Sequence, residues 1–373
     1  MRDALDAVSR PATLCAFCPK MCRFACPVSE AEQRETVTPW AKMSLVYLAR
    51  EGEAALSGPD ETKALEACTG CGACVEQCAH GNPVAETLFV SRSLARSPRS
   101  ERYRAAFEQT GDVKRRDLDT PLRELPRDRD AAVAYFPGCT RLTSDDDGIR
   151  KDRAALARVL GAQIAACDPP PRGGCCGYPL FADGQLDLLE AHLEKLWASM
   201  KGHDLVITPD PGCAYVLSVV RKSLGIGDDG EGPEVLPLVE VLAQNADAFE
   251  GAANGLTLRY HDPCYLGRRG RTFEAPRALL QAATGQAVAE FAMHREHADC
   301  SGAGGLYPTS APEASKEVAR RRATLDPNAH QAVDAVVTAC PSAKRNFERA
   351  GVTAVDIVDV LLGEHGLGGG EGA

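Results

Sequence analysis

The chain has 373 residues, 44% of them apolar, with 16 cysteines and a formal net charge of −10. That apolar share supports two or three packed domains, while the acidity excludes nucleic acid as the main partner, since phosphate binding needs a basic face. No apolar run approaches the roughly 18 residues that cross a bilayer, and Met1-Arg2-Asp3-Ala4-Leu5-Asp6 lacks the apolar core of a signal peptide. Cysteines in C-x-x-C runs are therefore expected to bind metal in a reducing, cytoplasmic setting.

In chain order, the first element is a cysteine loop, Cys15-Ala16-Phe17-Cys18-Pro19-Lys20-Met21-Cys22-Arg23-Phe24-Ala25-Cys26-Pro27, spaced C-x₂-C-x₃-C-x₃-C-P. Thr38-Pro39 then predicts a helix start, with Thr as N-cap and Pro where a missing N–H costs nothing. Trp40, Met43, Tyr47 and Leu48 give it a helical stripe ending near Gly52. A second helix, Asp60 to Ala67, delivers the chain to Cys68-Thr69-Gly70-Cys71-Gly72-Ala73-Cys74-Val75-Glu76-Gln77-Cys78. That C-x₂-C-x₂-C-x₃-C spacing wraps a [4Fe–4S] cube, with the fourth cysteine turned toward a second one. The two runs make a two-cluster ferredoxin module with crossed ligation. By that module's crossed ligation, Cys15, Cys18 and Cys22 would share cluster 1 with Cys78, and Cys68, Cys71 and Cys74 would share cluster 2 with Cys26. Structural zinc is the competing use of paired C-x-x-C. His80 is read as a surface or capping residue.

A helix over Val84 to Ala95 follows. From Ser91 to Asp130 there are 11 Lys/Arg against 8 Asp/Glu, and mixed-sign charge with Pro98, Pro121 and Pro126 predicts a solvated linker. Beyond it, Val133–Phe136, Gln163–Ala166, Leu205–Thr208, Leu258–His261 and Ala335–Thr338 read as buried parallel strands. Ile149–Leu160, Gln185–Ser199, Ala275–Ala283 and Pro312–Thr324 read as the helices between them.

The remaining cysteines fall on a repeat. Cys139 to Cys175 and Cys264 to Cys300 are both 36 positions, and Cys175 to Cys213 and Cys300 to Cys340 are 38 and 40. Cys175-Cys176-Gly177 parallels Cys300-Ser301-Gly302, which points to a duplication of about 125 residues. Cys139, Cys213, Cys264 and Cys340 are each expected just past a strand, where open α/β sheets bind ligands and helix N-termini favour thiolate. Cys167 has no counterpart and reads as a core residue. Gly302-Ala303-Gly304-Gly305 lacks the G-x-G-x-x-G spacing of a nucleotide loop.

These motifs resemble iron–sulfur proteins with tandem cysteine-rich CCG domains: heterodisulfide reductase subunits B and D, and the iron–sulfur subunits of glycolate oxidase and anaerobic glycerol-3-phosphate dehydrogenase. His261-Asp262-Pro263-Cys264 looks like their second-repeat entry. The resemblance implies an α+β to α/β fold, with a mostly helical two-cluster ferredoxin module at 1–97 and a linker at 98–130. Two duplicated Rossmann-like α/β CCG domains follow at 131–250 and 251–365, then a frayed tail at 366–373. It also implies an oxidoreductase component that transfers electrons between a partner flavoprotein dehydrogenase and a quinone or other carrier, with any membrane association through that partner. In heterodisulfide reductases each repeat carries five thiols that hold a non-cubane, disulfide-cleaving cluster. Here Val216, Ala343 and Ser301 replace three of those cysteines. Cys139, Cys175, Cys176 and Cys213 still suffice for a third [4Fe–4S] cluster. Cys264, Cys300 and Cys340 leave three outcomes open: a vestige without iron, a fourth cluster completed by a non-cysteine ligand, with His261, Asp262 and Ser301 nearest in sequence, or a cluster whose fourth iron stays open to a small ligand and is the reactive centre. A heterodisulfide-reductase-like catalytic subunit and a zinc-stapled interaction module are the alternatives.

Overall fold

The computed structural model describes residues 2–95, 97–144, 147–227, 230 and 232–367. The glycine tail from Gly368 onward lies outside them. The amino-terminal part is helical. Arg2–Ala16 packs against Pro39–Arg50 and Val84–Ala95. Thr38 caps the second of these as expected, its side chain accepting from the Ala41 N–H. Of its stripe, Met43 enters the core with Val8, Ala12, Val46, Leu65 and Leu88, whereas Leu48 is exposed.

Two parallel sheets follow. Strands β1 (Val133–Tyr135), β2 (Leu205–Thr208) and β3 (Glu234–Pro237) form the first, in that order. Strands β4 (Leu258–His261), β5 (Ala289–Glu290), β6 (Ala335–Thr338) and β7 (Ala354–Asp356) form the second, ordered β5-β4-β6-β7. Tyr135 pairs with Ile207, and Tyr260 with Val337, so the duplicated strands share a register. Helices cover the sheets. Leu189, Leu193, Leu196 and Met200, one face of Leu186–Met200, pack against Val206 and Val235. Each such buried leucine contributes about 1.5–3 kcal/mol.

Three expectations need correction. Gln163–Ala166 is no full strand: only Ala166 bridges Tyr135, because Pro169, Pro170 and Pro171 lack the N–H groups to extend a ladder. Its duplicate does form the short β5, paired to β4. The edge strands β3 and β7 were missed, being short and bounded by Glu234, Pro237 and Asp356. The stretch 98–130 is no solvated linker either. Ser97 caps the helix Pro98–Thr110, and Tyr103, Phe107, Val113, Leu118 and Leu122 enter the core of the first repeat. Many of its charges stay outside, where Arg104 pairs with Asp187, while Asp112 is buried and pairs with Arg116.

The parts are stitched together. One apolar cluster holds Tyr135, Leu156 and Ile207 of the first repeat with Leu258, Tyr260 and Val337 of the second. Buried Arg141 binds Asp152 at 2.9 Å and Asp356 at 2.8 Å across the same boundary. Arg92, 5% exposed, donates to the carbonyls of Leu65, Glu66 and Cys68, and to those of Ala182 and Gly305. One guanidinium thus ties the cysteine loop of the helical module to both repeats. No helix among the described residues is long and apolar enough to cross a membrane.

Candidate metal centres

The structure draws the cysteines into neighbouring sets. The Cys15 thiol feels those of Cys22, Cys78 and Cys18, the first crossed set. Asn82 Nδ2 donates to Cys15 Sγ at 2.9 Å. The Cys26 thiol feels those of Cys71 and Cys68, and Cys74 feels Cys71, Cys68 and Cys26, the second crossed set. Gly70, at φ 74°, leaves room for Phe89 and the Tyr265 hydroxyl, which a Cβ would meet at 2.7 and 2.9 Å. His80 is exposed.

In the first repeat, thiol contacts run from Cys139 to Cys175, Cys176 and Cys213. In the second, Cys264 touches Cys300. The two Cys-x-Gly corners are alike: Gly177 N–H donates to Cys175 Sγ at 3.4 Å, and Gly302 N–H to Cys300 Sγ at 3.2 Å. Cys340 lies apart, at the start of helix Pro341–Arg349, with Asp210 its strongest charged neighbour. A cavity of about 170 Å³ opens between the repeats, with Cys139, Cys176 and Cys213 on one side and Cys264, Cys300, Ser301 and Cys340 on the other. The strand-end placement therefore matches the expectation. Among the described residues no three His, Cys, Asp or Glu side chains could hold a single metal ion; the thiols are adjacent without closing on one point.

The suggested oxygen and nitrogen ligands fare differently. Asp262 is held by Arg277 at 2.8 and 2.9 Å and by the Arg295 N–H, so it is not free to ligate. Buried His261 stacks edge-on against Phe347, and burial holds its pKa well below 6.5, helped by Arg322 and Arg268. Ser301 lines the cavity.

Burial also corrects the idea of poised thiolates. It pushes Cys15 and Cys22 up to about 11 and raises Cys26 and Cys74. Cys71 is raised by its contact with Cys300 and by burial, Cys139 by its contact with Cys175 and by burial. Thiol–thiol contact and desolvation both disfavour the charged form here. Such thiols ionise only when a metal supplies the positive charge. Four-thiol sets in apolar surroundings with N–H donors at sulfur fit iron–sulfur ligation. Cys167, pushed up to about 12 by burial with no second thiol acting on it, behaves as a core residue.

Sequence reasoning missed several neighbours of these sets. Tyr178 and Tyr265 hydrogen-bond at 3.2 Å, and Tyr178 accepts from the Gly305 N–H. Asp210 accepts from Ser342 at 2.9 Å, linking the two repeats. Buried Lys42 acts on Cys26. Their only signal was position: Tyr178 follows the corner Cys175-Cys176-Gly177, and Tyr265 follows Cys264.

Comparison with known proteins agrees with this geometry. Residues 133–218 and 258–348 match the family model of the CCG cysteine-rich domain, and residues 11–82 match that of a 4Fe-4S dicluster domain. The chain is 26% identical to a subunit of the fumarate reductase (CoM/CoB) of Methanothermobacter marburgensis, over 91% of this chain and 69% of that one. It is 26% identical to a subunit of the dihydromethanophenazine:CoB–CoM heterodisulfide reductase of Methanosarcina barkeri, over 84% and 83%. A third relative, EtfAB:quinone oxidoreductase of Syntrophomonas wolfei, is 34% identical over 53% of this chain and 28% of its own. These matches and the thiol sets support multiple [4Fe–4S] clusters. The chain is a tandem CCG-domain iron–sulfur protein, with two cysteine-rich domains behind a 4Fe-4S dicluster domain.

Proposed function

We propose that the chain is the iron–sulfur electron-transfer subunit of an oxidoreductase complex, working between a partner flavoprotein and a quinone or another carrier. One observation supports this reading: the cysteine sets stand beside one another in a row, the last two facing each other across the inter-repeat cavity. Cys22 of the first set acts on Cys74 of the second. Cys71 of the second touches Cys300 of the second repeat. Cys264 then shares the inter-repeat cavity with Cys139 and Cys213. Iron–sulfur clusters supply one-electron transfer when bound. The residues of this chain hold the sets, desolvate them and fix their order.

Cys15, Cys18, Cys22 and Cys78 would hold cluster 1; Cys26, Cys68, Cys71 and Cys74 cluster 2; Cys139, Cys175, Cys176 and Cys213 cluster 3. Cys264, Cys300 and Cys340 remain a three-thiol site. The partner would dock at cluster 1, where Phe17 and Phe24, inside the cysteine loop, are 76% and 81% exposed. Exposed aromatics are the usual anchors of an interface. The test is anaerobic purification with iron and sulfide counts, dithionite reduction followed by EPR, and reoxidation by a short-chain quinone. Colourless, zinc-loaded, iron-free protein would overturn the reading.

A second reading is catalysis of heterodisulfide type. The solvent-reaching cavity between two thiol sets favours it, with Lys114, Arg116, Arg345 and Arg349 along its lining. A new EPR signal on adding a thiol to oxidised protein would distinguish it.

A further inference from the structure

A buried cation stands where the helical module meets the second repeat. Arg268, in the turn after Cys264, is 5% exposed. Its Nε donates to Cys71 O at 2.7 Å, and one terminal nitrogen donates to Glu296 O at 3.3 Å and to Ala298 O. The other terminal nitrogen is buried with no acceptor among the described residues. Nearby arginines have carboxylate partners: Arg269 has Glu86, Arg277 has Asp262, and Arg322 has Asp326. Arg268 forms no such ion pair among the described residues. Its charge acts on the thiols of Cys71, Cys264, Cys300 and Cys74, and on Asp299 at longer range. A buried cation needs an anion to offset its desolvation, and the sulfurs, once metal-bound, would be the anions closest to it.

The two crossed sets differ in this respect. The Cys26, Cys68, Cys71 and Cys74 set has three buried cations beside it. Lys42 acts on Cys26, Arg92 donates to Cys68 O at 3.0 Å, and Arg268 donates to Cys71 O. The Cys15, Cys18, Cys22 and Cys78 set has the neutral amide of Asn82. Of the three cations, Arg268 alone keeps a whole terminal nitrogen uncommitted.

We propose that Arg268 is a positioning residue that raises the reduction potential of the cluster held by Cys26, Cys68, Cys71 and Cys74, so that electrons entering at the exposed set move inward. This rests on the electron-transfer reading above. Reduction adds one negative charge to the site. A fixed positive charge in a low-dielectric surrounding stabilises the reduced form more than the oxidised one, and hydrogen bonds to sulfur act in the same direction.

The test is an EPR-monitored redox titration of the full chain, purified anaerobically, as wild type, Arg268→Met and Arg268→Lys, with iron measured on each. Arg268→Met should keep its iron and move one signal to lower potential while the others stay. At the wild-type midpoint, the reduced-to-oxidised ratio of that signal should fall about tenfold, a shift of about 59 mV for one electron. Arg268→Lys, which keeps the charge, should stay near wild type. An unmoved midpoint in iron-replete Arg268→Met overturns the proposal, and so does an equal shift of every signal. Where Arg268→Met loses iron, Arg268→Lys decides: a wild-type potential supports the role of charge, and a lowered one overturns it. Loss of iron from both variants makes Arg268 a structural strap and overturns it too. A wild type with no reducible cluster would sink the electron-transfer reading, and this inference with it.

Discussion

Cys300 Sγ lies 3.5 Å from Thr69 Oγ1, so a cysteine of the second repeat touches the cysteine loop of the helical module. Those residues are 231 positions apart in the chain. Spacing within each motif predicted each set, but no spacing could predict that two sets would meet.

Cys78→Ser should remove one cluster's worth of iron, roughly four atoms, and leave the Cys26 set reducible. The crossed geometry, in which Cys15 feels Cys78 across the module, sets this expectation. Iron analysis with EPR checks it. Loss of both signals together would show that the sets are not crossed as proposed.

Cys176→Ser should lower iron by about the same amount, through the first repeat. Cys167→Ser should not, since no other thiol acts on Cys167. Equal losses from the two variants would reassign the ligands.

Asp262→Asn should leave the iron content unchanged and destabilise the fold by about 3–5 kcal/mol, because it leaves the buried Arg277 charge short of its partner. Exposure of 9% and 2% for the two side chains puts that pair inside the protein, although Glu290 still contacts Arg277 and would soften the loss. Chemical denaturation beside an iron assay separates the outcomes. An iron loss with unchanged stability would make Asp262 a ligand after all.

Arg92→Met should cost several kcal/mol, about 2–5, by stranding buried carbonyls that it now satisfies. The loss should appear in near-UV and far-UV melting alike. A wild-type melting profile would show that those carbonyls find other donors.

The sequence carried much of this because the runs Cys15 to Cys26 and Cys68 to Cys78 are local constraints, and because the repeat cysteines recur at equal 36-position spacing. The helices were legible for the same reason: Pro312–Thr324 was predicted to the residue. What stayed hidden was tertiary. Tyr103 and Phe107 lie in the stretch whose mixed charge reads as a solvated linker, and the fold turns them into the core. Asp262 looked like a ligand candidate because Arg277, 15 residues on, gives no sign in the sequence that it will fold back onto it.

The five carbonyls held by Arg92 come from three parts of the molecule, and none can move away without leaving polar groups bare in the interior. Hinge and shear motions need interfaces that can slide or open, and this one is pinned at its centre. The separations between the cysteine sets are therefore fixed by the fold and are not swept by swinging domains. Electron passage inside the chain should run at a rate indifferent to solvent viscosity, and only the encounter with a partner at Phe17 and Phe24 should slow as glycerol is added.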